Sequence, residues 1–122
     1  MNDAEDCTDQ LVDFLVGTQF EDIPKSVVET AKRVGLDTVA CTVAGYDTEI
    51  GKGVAELKIE QGGKPESTLF VTGHRLPCSS VAYAHAPMAN AHDADETLLH
   101  MGHFANHTFL PAIAVAERVG AS

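Results

Sequence analysis

The chain has 122 residues, 44% of them hydrophobic and 21% charged, the balance of a globular domain with apolar material for one core. Eighteen acids against eight bases give a formal charge of -10, a field that repels phosphate backbones and anionic lipid heads and argues against nucleic acid or a membrane surface as partner. Cys7, Cys41 and Cys78 form no CxxC pair, the start "MNDAEDCTDQ" is acidic, and no apolar run approaches spanning length, so a reducing cytoplasm is the expected compartment.

Thr8 can cap a short amphipathic helix with Leu11, Phe14 and Leu15 on one face and Gly17 at its end. Pro24, after the acidic pair Glu21 and Asp22, suits the first position of a longer helix in which Val27, Val28, Ala31, Val34, Thr38 and Cys41 recur until Gly45. The small residues near its end predict close contact with another helix. Residues 49–60 read as a weaker helix, because each interior glycine costs about 1 kcal/mol relative to alanine. "STLFVTG" has the composition of an extended segment with no evident partner strand. A third strong helix starts near Pro77 and Ser79 or Ser80 and is expected to break or kink near Pro87. "LPAIAVAERVGAS" is helical, with Ile113, Ala114 and Val115 as its apolar face and Gly120 as its stop. The helix faces are rich in small residues and call for further helices to cover them, which reads as a fragment of a larger helical domain.

Between the last two helices lies "NAHDADETLLHMGHFANH", with four histidines and three acids in eighteen residues. If the preceding helix continues through Thr97, Asp93 and Thr97 share a face, with Asn90 behind and Glu96 on the flank. A solvated helix end is the plain alternative. Polar groups framed by alanine-rich segments need a reason to be there, however. His100, His103 and His107 are three and four apart and could complete a zinc or iron site with Asp93 or Asp95, although HExxH order is missing and Gly102 interrupts the helix. Equally, a histidine paired with a carboxylate can serve as a general acid or base. His74 and His85 lie outside the cluster and read as loop and helix-surface residues.

Three stretches, in order, resemble the MmgE/PrpD family, whose members include 2-methylcitrate dehydratase, cis-aconitate decarboxylase and iminodisuccinate epimerase. They are "FEDIPKSVVETAKRVGLDTVACTVAG", "AHDADETLLHMGHF" and "LPAIAVAE". The second is similar to the family's "H.LDFDDT" segment followed by a histidine. This chain departs from the pattern at His85-Ala86, where the family has Asn-Gly, and at Asn90, Glu96 and Phe104, where it has histidine, aspartate and proline.

The resemblance implies an all-α fold, with residues 1–122 as the N-terminal portion of a large helical domain. Its remaining helices and its lid domain, together with a lysine, further histidines and a tyrosine of the site, would lie beyond residue 122. It implies a cofactor-free, metal-free lyase acting on a small di- or tricarboxylate, by dehydration or alternatively by decarboxylation or epimerisation, in a homodimer. Asp93, Thr97 and His103 then fall on active-site positions, with Asp95 and Glu96 beside them; Asn90, Asp95, Glu96 and His100 are the candidate substrate-binding residues. A metal-binding module and a non-catalytic helical interaction domain are the alternatives from other classes.

Overall fold

Glycine, proline and hydroxyl residues set the helix boundaries in the computed structural model, which describes residues 7–98 and 101–121. The chain divides into two compact units, one ending at Lys32 and the other starting at Arg33. In the first, α1 (Cys7–Gly17) closes where the Thr18 amide and hydroxyl both donate to the Phe14 carbonyl, at 3.0 and 2.6 Å. The expected stripe of Leu11, Phe14 and Leu15 is present but exposed. A 3-10 turn (Phe20–Asp22) follows, in which Asp22 accepts the Gln19 amide at 3.0 Å. The carbonyl of Pro24 accepts from Val27 and Val28, so this proline caps α2 (Lys25–Gly45) instead of occupying its first helical position.

In the second unit, the end of α2 buries Thr38 and Thr42, whose hydroxyls donate to the carbonyls of Val34 and Thr38 at 2.8 and 2.7 Å. Satisfied in this way, two polar side chains tolerate full burial. The expected close helix contact is made at Gly45. A methyl group there would collide with the Met88 carbonyl, so the two backbones touch. Thr48 accepts the Gly51 amide at 3.0 Å to begin α3 (Glu49–Gln61), which Gly62 ends with φ 61°.

The segment expected to lack a partner strand has one. Ser67–Thr68 (β1) pairs antiparallel with Arg75–Leu76 (β2) around a turn through Gly73, and strands of two residues are too short for an alternating pattern to be read. The hairpin is tied to α5 (Ala105–Val119) by Ser67, which donates to the Ala114 carbonyl, and by Glu117. That carboxylate accepts from the Thr68 hydroxyl and amide and from Arg75, and these contacts, Thr68 first, hold it below the usual carboxylate range.

The third strong helix, α4 (Cys78–Asn90), continues through Pro87 to Asn90 instead of breaking. Its Val81, Ala84 and Met88 pack with Ala55, Leu69, Leu76 and Ala114 into the core. The last helix starts at Ala105, ahead of the expected Leu110, and buries Ala105, Asn106, Leu110 and Ala114. Val115 is exposed, because successive helical residues point about 100° apart and three in a row cannot share one face. Gly120, with φ 67°, ends the helix as expected.

His85, expected on a helix surface, is 1% exposed. Its Nε2 accepts the Phe70 amide at 3.0 Å and its ring stacks on that of Phe70, with centroids 4.0 Å apart. The proton therefore sits on Nδ1, which finds no acceptor among the described residues. No described helix is long and apolar enough to cross a membrane. The all-α expectation holds, with the small hairpin as its one addition among the described residues.

Candidate functional site

The polar cluster is a loop, not a helical extension of α4. The helix stops at Asn90, the Asp93 amide donates to the Asn90 carbonyl at 3.0 Å, and Asp93 itself takes a left-handed φ of 51°. Four residues of helix would carry Asp93 and Thr97 along one face, whereas the turn lets the chain double back. A second reversal does the same on the far side. Leu98 and Gly102 exchange backbone hydrogen bonds of 2.9 and 3.2 Å, and Gly102 has φ 124°, where a side chain would be strained. Together the two turns bring His103 onto the acids that precede it.

His103 is the centre of what results. Its Nδ1 lies 3.1 Å from Asp95 Oδ1 and its Nε2 lies 3.2 Å from Asp93 Oδ1, while the ring remains 22% exposed. With both acids ionised, two carboxylate oxygens facing both ring nitrogens are satisfied together only by the doubly protonated imidazolium. The two acids differ sharply in setting: the Asp93 side chain is 83% exposed, and that of Asp95 is fully buried. Asp95 also accepts from Asn90 Nδ2 on Oδ1 at 3.0 Å and from Asn106 Nδ2 on Oδ2 at 3.1 Å. A buried carboxylate without such donors would be strongly destabilising. Thr97 donates to the Asp95 carbonyl at 3.3 Å and stands 3.4 Å from His103 Nδ1. Cys41 of α2 faces this negative charge as well: burial pushes its thiol up, and Asp37 and Asp95 add to the effect.

Glu96 is turned to a different task. Its two oxygens accept the Phe104 and Ala105 amides at 3.2 and 2.8 Å, capping α5 where the helix dipole favours an anion. Replacing Glu96 by alanine is expected to lower stability by about 1–2 kcal/mol. A thermal melt that does not move would show that these amides are satisfied otherwise.

Of the residues singled out from sequence, Asp93, Asp95, Thr97 and His103 come together, Asn90 joins them through Asp95, and Glu96 supports the helix beside them. His100 lies outside the described residues. His107 directs Nδ1 to the His103 carbonyl at 3.1 Å. Among the described residues no group of three or more histidine, cysteine, aspartate or glutamate side chains is placed to hold a metal ion.

Asn106 carries no sequence signal, since an asparagine near a helix start ordinarily reads as a cap. It is 3% exposed and its Oδ1 has no partner among the described residues, an arrangement that costs about 1–3 kcal/mol. A cavity of about 430 Å³ lined by Phe20, Ile23, Val28 and neighbouring charged residues includes none of these groups.

The sequence pattern of the MmgE/PrpD N-terminal domain matches residues 9–122. Neither a search of curated proteins nor a search of solved structures returns a match. The match covers nearly the whole chain, including the helices and the loop that carries His103, and on that evidence the chain belongs to the MmgE/PrpD family.

Proposed function

We propose that the full-length protein is a lyase acting on a small di- or tricarboxylate, of the dehydratase kind, and that His103 handles the proton. The observation that carries this reading is the unequal flanking of one imidazole. Buried Asp95 holds Nδ1, and exposed Asp93 leaves Nε2 within reach of solvent and substrate. An imidazolium held in this way can give the Nε2 proton to a departing hydroxyl or anchor a substrate carboxylate.

In the dehydration, a base removes the proton from the carbon next to a carboxylate. The electron pair of that C–H bond becomes the new C=C bond as the β hydroxyl leaves, and the acid's proton turns it into water. His103 supplies the acid half of that pair, and the Thr97 hydroxyl beside it can bond to the substrate. The net negative charge of the chain is no obstacle to an anionic substrate, because a local imidazolium acts at contact distance while the surface charge is screened within about 10 Å.

The test is to incubate the full-length protein in D2O with 2-methylcitrate, cis-aconitate or iminodisuccinate and follow each by NMR. Water loss from 2-methylcitrate is the expected result. Loss of carbon dioxide from cis-aconitate, or racemisation of iminodisuccinate, would reassign the reaction while keeping the proton chemistry. No turnover and no deuterium uptake in any of the three would overturn the proposal.

A further inference from the structure

Asp95 combines an acidic side chain with its complete burial, and its two oxygens are not equivalent. Oδ1 takes both Asn90 Nδ2 and His103 Nδ1, at 3.0 and 3.1 Å, whereas Oδ2 takes Asn106 Nδ2 at 3.1 Å. We infer that Asn106 is a positioning residue for His103: by donating to Asp95 Oδ2 it keeps Asp95 an acceptor and fixes the turn of its carboxylate so that Oδ1 meets the imidazole. The inference rests on the reading of His103 as the proton-handling group.

The chemistry follows from donor and acceptor counting. An amide N–H aimed at Oδ2 takes up one of its lone pairs and favours that oxygen as an acceptor, and the Asn90 amide does the same at Oδ1. Asp95 is thus presented to His103 as an acceptor, with Oδ1 placed to accept from the Nδ1 donor. Without Asn106 the carboxylate could rotate about its Cβ–Cγ bond or take a proton on Oδ2, and either change slackens the hold on the ring.

A merely structural role for Asn106 explains less. It does not cap α5, because Glu96 already accepts the Phe104 and Ala105 amides. Nor is its amide used fully, because its buried Oδ1 is left without a donor among the described residues. The side chain gives its NH2 to Asp95 at the expense of its own carbonyl, the kind of local imperfection expected where a site outranks stability. Among the described residues, the titratable groups that meet or act on Asp95 and its partner His103 are Asp93 and, from α2, Cys41.

The experiment uses the full-length protein with ¹⁵N-labelled histidine, and compares the parent with Asn106→Leu, Asn106→Asp and His103→Ala. In the parent, a downfield Nδ1 proton signal held by a carboxylate is expected, assigned by its disappearance in His103→Ala. Asn106→Leu should lose that signal while remaining folded, and should lower kcat by about 10-fold to 100-fold with KM little changed. Asn106→Asp should lack the signal at neutral pH and regain it in acid, where the introduced carboxyl is protonated and donates to Oδ2. That variant also serves if Asn106→Leu does not fold. A parent without the signal, or an Asn106→Asp variant that keeps it unchanged at neutral pH, overturns the inference. The functional reading fails separately, by undiminished turnover in His103→Ala.

Discussion

Alanine in place of His103 in the full-length protein is expected to lower kcat by about 10²-fold to 10⁴-fold, the usual contribution of a positioned acid or base, with a smaller change in KM. The two flanking acids are expected to rank in the order of their burial. Asp95→Asn leaves one acceptor oxygen to be shared among three donors, sets an NH2 against one of them and removes the charge that faces Nδ1, so its kcat should fall by about 10²-fold or more. Asp93 is exposed, and an exposed ion pair is worth about 1 kcal/mol at most, so Asp93→Asn should change kcat by about fivefold or less. Steady-state kinetics on the three variants decide the matter. Turnover by His103→Ala close to that of the parent would remove His103 from the mechanism. A larger loss in Asp93→Asn than in Asp95→Asn would show that the exposed carboxylate, rather than the buried one, governs the imidazole.

The second large effect concerns His85 and is one of stability. Burial against Phe70 pushes its ionisation from an ordinary 6.5 down to about 4, with Glu117 opposing weakly. Between those two pH values the unfolded chain binds a proton at this histidine and the folded chain does not. Stability from this group is therefore full above about pH 6.5 and is lost as pH falls toward 4, where the loss levels off. The interval corresponds to roughly 3 kcal/mol, at up to about 1.4 kcal/mol per pH unit.

His85→Gln can still offer an oxygen to the Phe70 amide and cannot titrate. It is expected to be less stable than the parent near neutrality and to lack this part of the acid decline. Carboxylates such as Glu66 and Glu117, held below their ordinary range by hydrogen bonds from Cys78 and Thr68, weaken both proteins alike in stronger acid. The quantity to measure is thus the difference between two denaturant unfolding series from pH 7 to pH 4. Parallel curves would mean that His85 charges as readily in the folded protein as in the unfolded one.

His85 and Asn106 mark the limit of what could be read along the chain. An alanine-rich helix shows where a histidine sits on its turn, but not that the Phe70 ring and amide, fifteen residues away, arrive to cover it. Asn106 gave even less away, since the carboxylate it serves is eleven residues earlier and the chain reverses at Gly102 between them. The hairpin was hidden for a different reason: its strands have two residues each, too few to show an alternating pattern.

What lies in the sequence by itself is whatever depends on neighbours within a turn or two. The α2 periodicity, the stops at Gly17, Gly45 and Gly120, the small-residue contact near Gly45, and the concentration of polar chemistry between Asn90 and His107 are local facts. The ordered motifs of the family were legible for the same reason. Tertiary structure alone decided which acid is buried, since Asp93 and Asp95 look alike as letters and differ only in what packs over them. Burial is a property of the assembled surface: a carboxylate enters it only where distant groups supply donors, and a spacing of two residues cannot say which side of a turn those donors will occupy.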